Sequence, residues 1–246
     1  MYGYGIDAGV SDDGNCNRVI KLQGRRLLEG GGLQSLKGGV SLDGSSKNPA
    51  WSKLAREVAA ELDDRGIHPV GVDCPLTLAV PGAGRGRPFE NLVQAPIPTP
   101  ADFESWPSGS SASRAVLARL WSQVARILVD DHGWTLWAGE QRIVGSKLLV
   151  EVFTRTTWTA LAAARRVPVL KEYSRSVQLR DDVLEALGVA FPGDVRLNES
   201  LRDGAACAIT AGKVATRTAG FLGTELEEHP KLPAFTGGGI AVPWLR

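Results

Sequence analysis

The alternation of apolar and polar residues at the start of the chain predicts β-strands. Residues 2–10, YGYGIDAGV, alternate small and apolar positions and end in glycine, which is typical of a strand with Asp7 near its C-terminal end. Two weaker patterns, at residues 17–23 and 39–42, are separated by glycine and polar residues and predict two further strands. This arrangement favours hairpins attached to the first strand.

The next two elements are a helix and a strand. Pro49 begins a segment in which apolar residues recur at helical spacing, and Gly66 ends it. The apolar residues of this helix are Trp51, Leu54, Val58 and Leu62. Residues 68–73 then predict a short strand, which Pro75 ends just after Asp73. A strand, a helix and a strand in succession imply a right-handed crossover between two parallel strands.

The rest of the chain predicts a long insertion, several helices and one more buried strand. Residues 81–113 are rich in Gly, Pro and Ser, as is typical of a lid, a binding loop or a partly disordered insertion. Apolar spacing predicts helices over residues 115–131, 156–166, 177–187 and 199–220. The run KLLVEVF at residues 147–153 predicts a strand with Glu151 in its middle. The C-terminal tail, residues 223–246, contains GGGIAVPW and predicts a late edge strand.

Composition and charge place the chain among folded globular proteins. Of its 246 residues, 43% are hydrophobic and 22% are charged, so we expect one α/β domain spanning residues 1–246. No apolar run approaches the roughly 20 residues that cross a bilayer, and the N-terminus does not resemble a signal peptide, so we expect a cytoplasmic protein. The net charge of +1 lacks the basic excess of a non-specific nucleic-acid binder. Any contact with nucleic acid must therefore use a local patch.

Three acidic residues occupy unusual positions in the predicted strands. Asp7 and Asp73 each lie at the end of a short apolar segment, and Glu151 lies inside one. Burying an unpaired carboxylate is costly, so such acids pair, accept several hydrogen bonds or hold a cation. Asp203 lies in the first turns of the last predicted helix, where the helix dipole favours a carboxylate. Since functional groups of open α/β sheets gather at the carboxyl ends of the strands, these acids are candidates for one site.

Four segments resemble the RNase H-like superfamily, and within it a group of predicted nucleases known as a domain of unknown function. The segments are YGIDAG, VGVDCPL, VEVFTRTTWTAL and SLRDGAACAITA, and the closing GGGIAVP also looks like that group's ending. The resemblance implies an α/β fold with a mixed five-stranded sheet, in which three antiparallel strands are extended by parallel ones, and flanking helices. It also implies that Asp7, Asp73, Glu151 and Asp203 are the catalytic carboxylates. Where the group often has Tyr and Pro, this chain has Phe153 and Thr154.

The chemistry implied is divalent-metal-dependent hydrolysis of phosphodiester bonds in DNA or RNA. Mg²⁺ and Mn²⁺ prefer oxygen ligands, and two ions about 4 Å apart activate water and stabilise the leaving oxygen. On this hypothesis Asp7 is the shared ligand, and Asp73 and Glu151 each complete one ion. Asp203 positions the second ion or the water. Lys147 and Arg202 are weaker candidates for phosphate contacts.

Other interpretations remain open from the sequence. The acids could be structural, satisfied by backbone N–H groups or helix termini. Glu199 could be a solvated or capping acid, or alternatively it could join the site. A second function is a catalytically silent RNase H-like binding or scaffold protein. A third is an actin-like phosphotransferase, although such proteins normally need two such domains and glycine-rich phosphate turns. The scattered histidines lack a nucleophilic partner at recognisable spacing, and no phosphate-binding GxxxxGK[ST] motif occurs.

Overall fold

The structure is a computed structural model that describes residues 1–10, 15–41, 49–78, 112–139, 146–164, 176–192, 197–228 and 234–243. All but the last two residues of the predicted insertion at 81–113 lie outside these ranges.

The central element is a six-stranded mixed sheet. Its strands are β1 (Tyr2–Ile6), β2 (Arg18–Gln23), β3 (Arg26–Gly32), β4 (Val70–Val72), β5 (Thr135–Leu136) and β6 (Leu148–Glu151). They are arranged in the order β3-β2-β1-β4-β6-β5. The first three are antiparallel, and β4, β6 and β5 continue the sheet in parallel from β1. The expected α/β class, with antiparallel strands extended by parallel ones, is confirmed, although the sheet has six strands where five were expected.

Helices cover the sheet on both faces. They are α1 (Pro49–Asp64), α2 (Ala112–His132), α3 (Thr154–Ala164), α4 (Val177–Ala186) and α5 (Glu199–Ala215), with a short 3-10 helix at Gln34–Leu36. The apolar stripes of α1 and α2 pack on one face of the sheet, against Ile6 and Val72. The opposite face carries α5, which packs against β1, β2, β4 and β6. None of the helices within the described ranges is long and apolar enough to cross a membrane.

Two strand predictions differ from the structure. The segment predicted as a strand at residues 39–42 is irregular over 39–41, and the third antiparallel strand is β3 instead. Gly38, just before this segment, and Gly39 have φ of +96° and +83°. The prediction was wrong because β3 ends in Glu-Gly-Gly-Gly, which carries no alternating pattern. Strand β5 was missed because it is only two residues long.

The C-terminal strand belongs to a hairpin rather than to the edge of the main sheet. Strands β7 (Gly220–Glu228) and β8 (Phe235–Val242) pair with each other in an antiparallel two-stranded sheet. Helix α5 ends at Ala215, earlier than predicted, and β7 begins at Gly220, where the helix was expected to end. Every residue of β8 is buried, and isolated bridges join Ala241 to Val152 and Thr236 to Leu78. The hairpin therefore packs beside the carboxyl ends of β4 and β6.

Glycine allows α5 to approach the sheet closely. A Cβ atom on Gly5 would lie 1.9 Å from the carbonyl oxygen of Gly204 and 2.4 Å from the backbone nitrogen of Ala208. A Cβ on Gly71 would lie 2.5 Å from the carbonyl oxygen of Cys207. Because these neighbours are backbone atoms of a helix, a side chain at either position must push the helix away from the sheet.

Replacing Gly5 with alanine is expected to destabilise the protein by about 2 kcal/mol, because overpacking against a fixed backbone forces the elements apart. Urea unfolding measures the change in the free energy of unfolding. Gly32→Ala is the matched control, since no heavy atom within 4 Å meets its added Cβ. Equal stability of the two variants would contradict the close approach of α5.

Candidate metal centre

Three of the four predicted acids meet at the carboxyl edge of the sheet. Asp7 directly follows β1, Asp73 directly follows β4, and Asp203 lies on α5. The backbone N–H of Asp73 donates to the carbonyl oxygen of Ile6 at 3.0 Å, so the parallel ladder continues to the residue that carries the carboxylate. Adjacent parallel strands that end together bring the side chains following them to one edge. All three aspartates are half-buried.

The three carboxylates interact strongly enough to change one another's ionisation. Burial raises the pKa of Asp7 to about 7, aided by the negative charge of Asp203 and opposed by a hydrogen bond from the Ser200 hydroxyl. Burial, Asp7 and Asp203 hold the pKa of Asp73 well above its usual range. Burial likewise raises the pKa of Asp203. Such mutual repulsion is typical of acids gathered for a function rather than for stability.

Cys207 lies on the α5 surface that faces these acids. Its side chain is fully buried, and burial followed by the charges of Asp73, Asp7 and Asp203 raises the pKa of its thiol well above the usual range. A thiol with a raised pKa stays protonated, so it is a poor nucleophile. Cys207 is therefore a buried packing residue next to the three aspartates.

Asp73 is held by the N-terminus of α3. The hydroxyl of Thr154 donates to its Oδ2 at 2.8 Å, and the Thr154 backbone N–H donates to its Oδ1 at 3.3 Å. The unpaired N–H groups and the dipole of a helix N-terminus favour a nearby carboxylate. Thr154 occupies one of the positions where the resembling group often has proline, which has no N–H to donate.

Asp203 is held by a different pair of residues. The indole Nε1–H of Trp158 donates to its Oδ1 at 2.8 Å, and Nη1 of Arg180 donates to the same oxygen at 3.1 Å. Arg180 also donates through Nη2 to Oε1 of Glu199 at 3.2 Å. These contacts tie α3, α4 and α5 together around one carboxylate.

A polar turn fixes the backbone that follows Asp7. The backbone N–H of Asn17 donates to the carbonyl oxygen of Asp7 at 2.8 Å. The Asn17 amide then pairs with the backbone of Gly9, donating at 3.0 Å and accepting at 3.1 Å. Asn17 has φ of +58°, a left-handed conformation that asparagine tolerates better than most residues. The chain beyond Asp7 is thus held from the start of β2.

Glu151 lies on the other face of the sheet. It is in register with Val72, which is in register with Ile6, and paired residues of parallel strands project to the same face. Ile6 and Val72 belong to the core under α1 and α2, whereas Asp203 projects from α5 on the opposite face. The Glu151 side chain is buried, and its Oε2 accepts a hydrogen bond from the backbone N–H of Leu76 at 2.8 Å. The structure therefore groups Glu151 with the segment that follows Asp73 rather than with the three aspartates.

Glu151→Ala is expected to destabilise the protein by about 1–3 kcal/mol, because the buried N–H of Leu76 loses its acceptor. Glu151→Gln keeps an acceptor oxygen and is expected to retain most of that stability. Thermal melting measures both changes, and Mn²⁺ titration of the glutamine variant measures the metal role separately. A Mn²⁺ affinity lost in Glu151→Gln would assign the residue to the metal centre, as the resemblance implies.

Within the described residues, no three Asp, Glu, His or Cys side chains are arranged as a ready-made metal site. Hydrogen bonds direct Asp73 toward Thr154, and Asp203 toward Trp158 and Arg180. The residue types nevertheless fit Mg²⁺ or Mn²⁺, which take carboxylate oxygens, and the aspartates' mutual repulsion is what a divalent cation would relieve. A cation there would bind carboxylate oxygens that these donors leave unbonded, such as Oδ2 of Asp203.

The two candidate phosphate contacts have other partners. Arg202 is buried and binds Asp181 through Nε at 2.7 Å and Nη2 at 2.8 Å. Nζ of Lys147 lies 2.7 Å from Oδ1 of Asp63 and donates to the carbonyl oxygen of His132 at 3.1 Å. The hydrogen bond from Lys147 is the largest of the effects that lower the pKa of Asp63 to about 2. Both cations therefore stabilise helix contacts.

No protein family, no curated protein and no solved structure matches the chain. The resemblance of its motifs to the RNase H-like superfamily is therefore a hypothesis that rests on the residues themselves.

Sequence reasoning missed one residue of the site and undervalued several others. Arg180 lies in a predicted helix with no motif around it, so the sequence offered no signal for its role. Thr154 and Trp158 stand inside VEVFTRTTWTAL and Ser200 inside SLRDGAACAITA, yet only the acids of those segments were assigned a role. The structure adds these polar partners to the three aspartates.

Proposed function

We propose that this protein has an RNase H-like fold and is a divalent-metal-dependent nuclease that hydrolyses phosphodiester bonds of DNA or RNA. The observation that carries the proposal is the grouping of Asp7, Asp73 and Asp203, from two parallel strands and a helix. Burial raises the pKa of all three, and the charges of neighbouring aspartates raise those of Asp7 and Asp73 further. The order of the sheet supports the fold assignment, since three antiparallel strands are extended by parallel ones from β1.

The aspartates are the proposed ligands of Mg²⁺ or Mn²⁺. A divalent ion held by these carboxylates would lower the pKa of water and neutralise charge that develops on the phosphoryl oxygens. Asp7 is the proposed shared ligand, because it interacts electrostatically with both Asp73 and Asp203. The hydroxyl of Thr154 orients Asp73, and Trp158 orients Asp203. The protein thus supplies carboxylates on separate rigid elements, each held by its own donor.

Arg155 is the proposed contact for a substrate phosphate. It follows Thr154 at the start of α3, its side chain is half-buried, and its charge acts on Asp203 to lower the pKa of that carboxyl. Because the net charge of the chain is only +1, binding of nucleic acid needs a local positive charge. Arg155 supplies such a charge near Asp203. The guanidinium can also bind phosphate in bidentate geometry.

The proposal is tested by incubating the protein with Mg²⁺ or Mn²⁺ and a panel of substrates. The panel contains single-stranded and double-stranded DNA, single-stranded and double-stranded RNA, and an RNA–DNA hybrid. We expect cleavage of at least one substrate, its loss with EDTA, and its loss in Asp73→Asn, which keeps the shape of the side chain but removes a ligand charge. Cleavage that survives undiminished in Asp73→Asn would remove Asp73 from the proposed site, and metal binding without any cleavage would contradict the proposal.

The second candidate is a catalytically silent binding or scaffold protein. It is favoured by the hydrogen bonds that already satisfy Asp73 and Asp203, and by the absence of a ready-made metal arrangement within the described residues. A protein of this kind would bind nucleic acid without metal, and Mn²⁺ would not raise its melting temperature. Thermal melting with and without Mn²⁺ separates the two candidates.

A further inference from the structure

Arg180 is a buried cation that pairs with two carboxylates, one exposed and one largely buried. Its side chain is 4% exposed, and its guanidinium bridges Oδ1 of Asp203 and Oε1 of Glu199. The Glu199 side chain is 70% exposed, so it lies at the solvent side of the bridge. A buried guanidinium needs such partners, because removing its charge from water is costly.

Both hydrogen bonds to the Asp203 side chain reach the same oxygen. Trp158 and Arg180 donate to Oδ1 from α3 and α4, and no other hydrogen bond to this carboxylate occurs among the described residues. Rotation of the carboxylate would break at least one of these bonds. The two donors also form a cation–π contact, since Cζ of Arg180 lies 5.9 Å from the centroid of the buried Trp158 ring.

We propose that Arg180, together with Trp158, is the positioning residue for Asp203 in the metal centre. The inference rests on the proposed function, because it assigns Asp203 as a ligand. Asp7 and Asp73 repel Asp203, and a guanidinium behind Oδ1 holds that carboxylate in place against the repulsion. Oδ2 then stays available to a cation. Partners of this kind fix the geometry of metal ligands and strongly affect metal affinity.

The test compares two buried arginines that each pair with an aspartate. Arg180→Met removes the ion pair with Asp203. Arg202, which directly precedes Asp203 in α5, forms a bidentate ion pair with Asp181, and Arg202→Met removes that pair. Arg202 is 6% exposed, so both substitutions break a buried ion pair and both are expected to lower the melting temperature. Calorimetric titration with Mn²⁺ alone, at a temperature where circular dichroism shows each variant folded, measures the dissociation constant.

We expect Arg180→Met to raise the Mn²⁺ dissociation constant by about 10- to 100-fold and Arg202→Met to leave it unchanged. Arg180→Lys is expected to give an intermediate value, because lysine restores the charge but cannot reproduce the two-pronged contact with Asp203 and Glu199. Trp158→Phe keeps the ring and removes the N–H donor, so it is expected to weaken Mn²⁺ binding in the same direction.

Equal weakening of Mn²⁺ binding by Arg180→Met and Arg202→Met would overturn the inference, since it would reflect stability alone. If Arg180→Met does not fold, Trp158→Phe decides, and an unchanged Mn²⁺ affinity in that variant overturns the inference. Wild-type protein that binds Mn²⁺ and cleaves, beside variants with unchanged affinity, would refute only the role of Arg180. Wild-type protein that binds no Mn²⁺ would refute the proposed function and this inference with it.

Discussion

Replacing Asp7 with alanine is expected to lower Mn²⁺-dependent phosphodiester cleavage by at least about 100-fold while the protein stays folded. Asp7 interacts with both other aspartates, so its removal takes away the ligand that a shared cation would need most. The side chain follows β1 and is not part of the packed core, so its loss leaves the sheet intact.

Initial rates of cleavage at saturating Mn²⁺ measure the effect of Asp7→Ala, and circular dichroism checks the fold. Asp64→Ala is the control, because Asp64 is an exposed carboxylate at the end of α1. Undiminished cleavage by folded Asp7→Ala would remove Asp7 from the metal centre. Equal losses in both variants would show that the assay responds to net charge rather than to the site.

Asp7→Asn is expected to stabilise the metal-free protein at pH 8, on the order of 2–4 kcal/mol. The pKa of Asp7 is raised to about 7 in the folded protein, whereas an unfolded aspartate titrates near 3.9. The stability that comes from the protonated carboxyl is therefore complete below about pH 4, and it is lost as the pH rises through about 7. Asparagine stays neutral, so the variant escapes this loss.

The measurement is thermal or urea unfolding in EDTA between pH 4 and pH 8. Wild-type stability should fall across this range more steeply than that of Asp7→Asn, and Mn²⁺ should raise the stability of the wild type at pH 8 more than that of the variant. Asp64→Asn controls for the general effect of removing a carboxylate. A wild-type protein whose stability does not fall toward pH 8, or a variant that is less stable there, would show that burial and the neighbouring acids do not oppose the charge of Asp7.

Loss of cleavage in Asp7→Ala together with a gain in stability in Asp7→Asn would show that Asp7 serves function and lowers stability. Acids that repel each other in the absence of a ligand destabilise the fold, and residues retained at such a cost commonly serve binding or catalysis. A structural role for Asp7 predicts the opposite result, since removing a stabilising carboxylate lowers the melting temperature. The sign of the stability change therefore separates the two interpretations even before a substrate is identified.

Local patterns in the sequence predicted most of the secondary structure. The apolar spacing of α1 and α2 and the short apolar run of β4 depend on which residues face a core, and this periodicity is visible within a few turns. The strand-end positions of Asp7 and Asp73 were predicted for the same reason. Strand β3 was misplaced and β5 was missed, because a glycine-rich strand and a two-residue strand acquire their structure from pairing with neighbours.

The sequence by itself determined that two aspartates end adjacent strands and that a third lies near the start of a long helix. Only the tertiary structure decided which acids share a site, because the face of a strand residue depends on register: Glu151 pairs with Val72 and so projects away from Asp203. It likewise decided the partners of Arg180, since an ion pair between two helices has no characteristic spacing along the chain. Periodicity reports the local surroundings of a residue, whereas the partners of a buried charge depend on how distant elements pack.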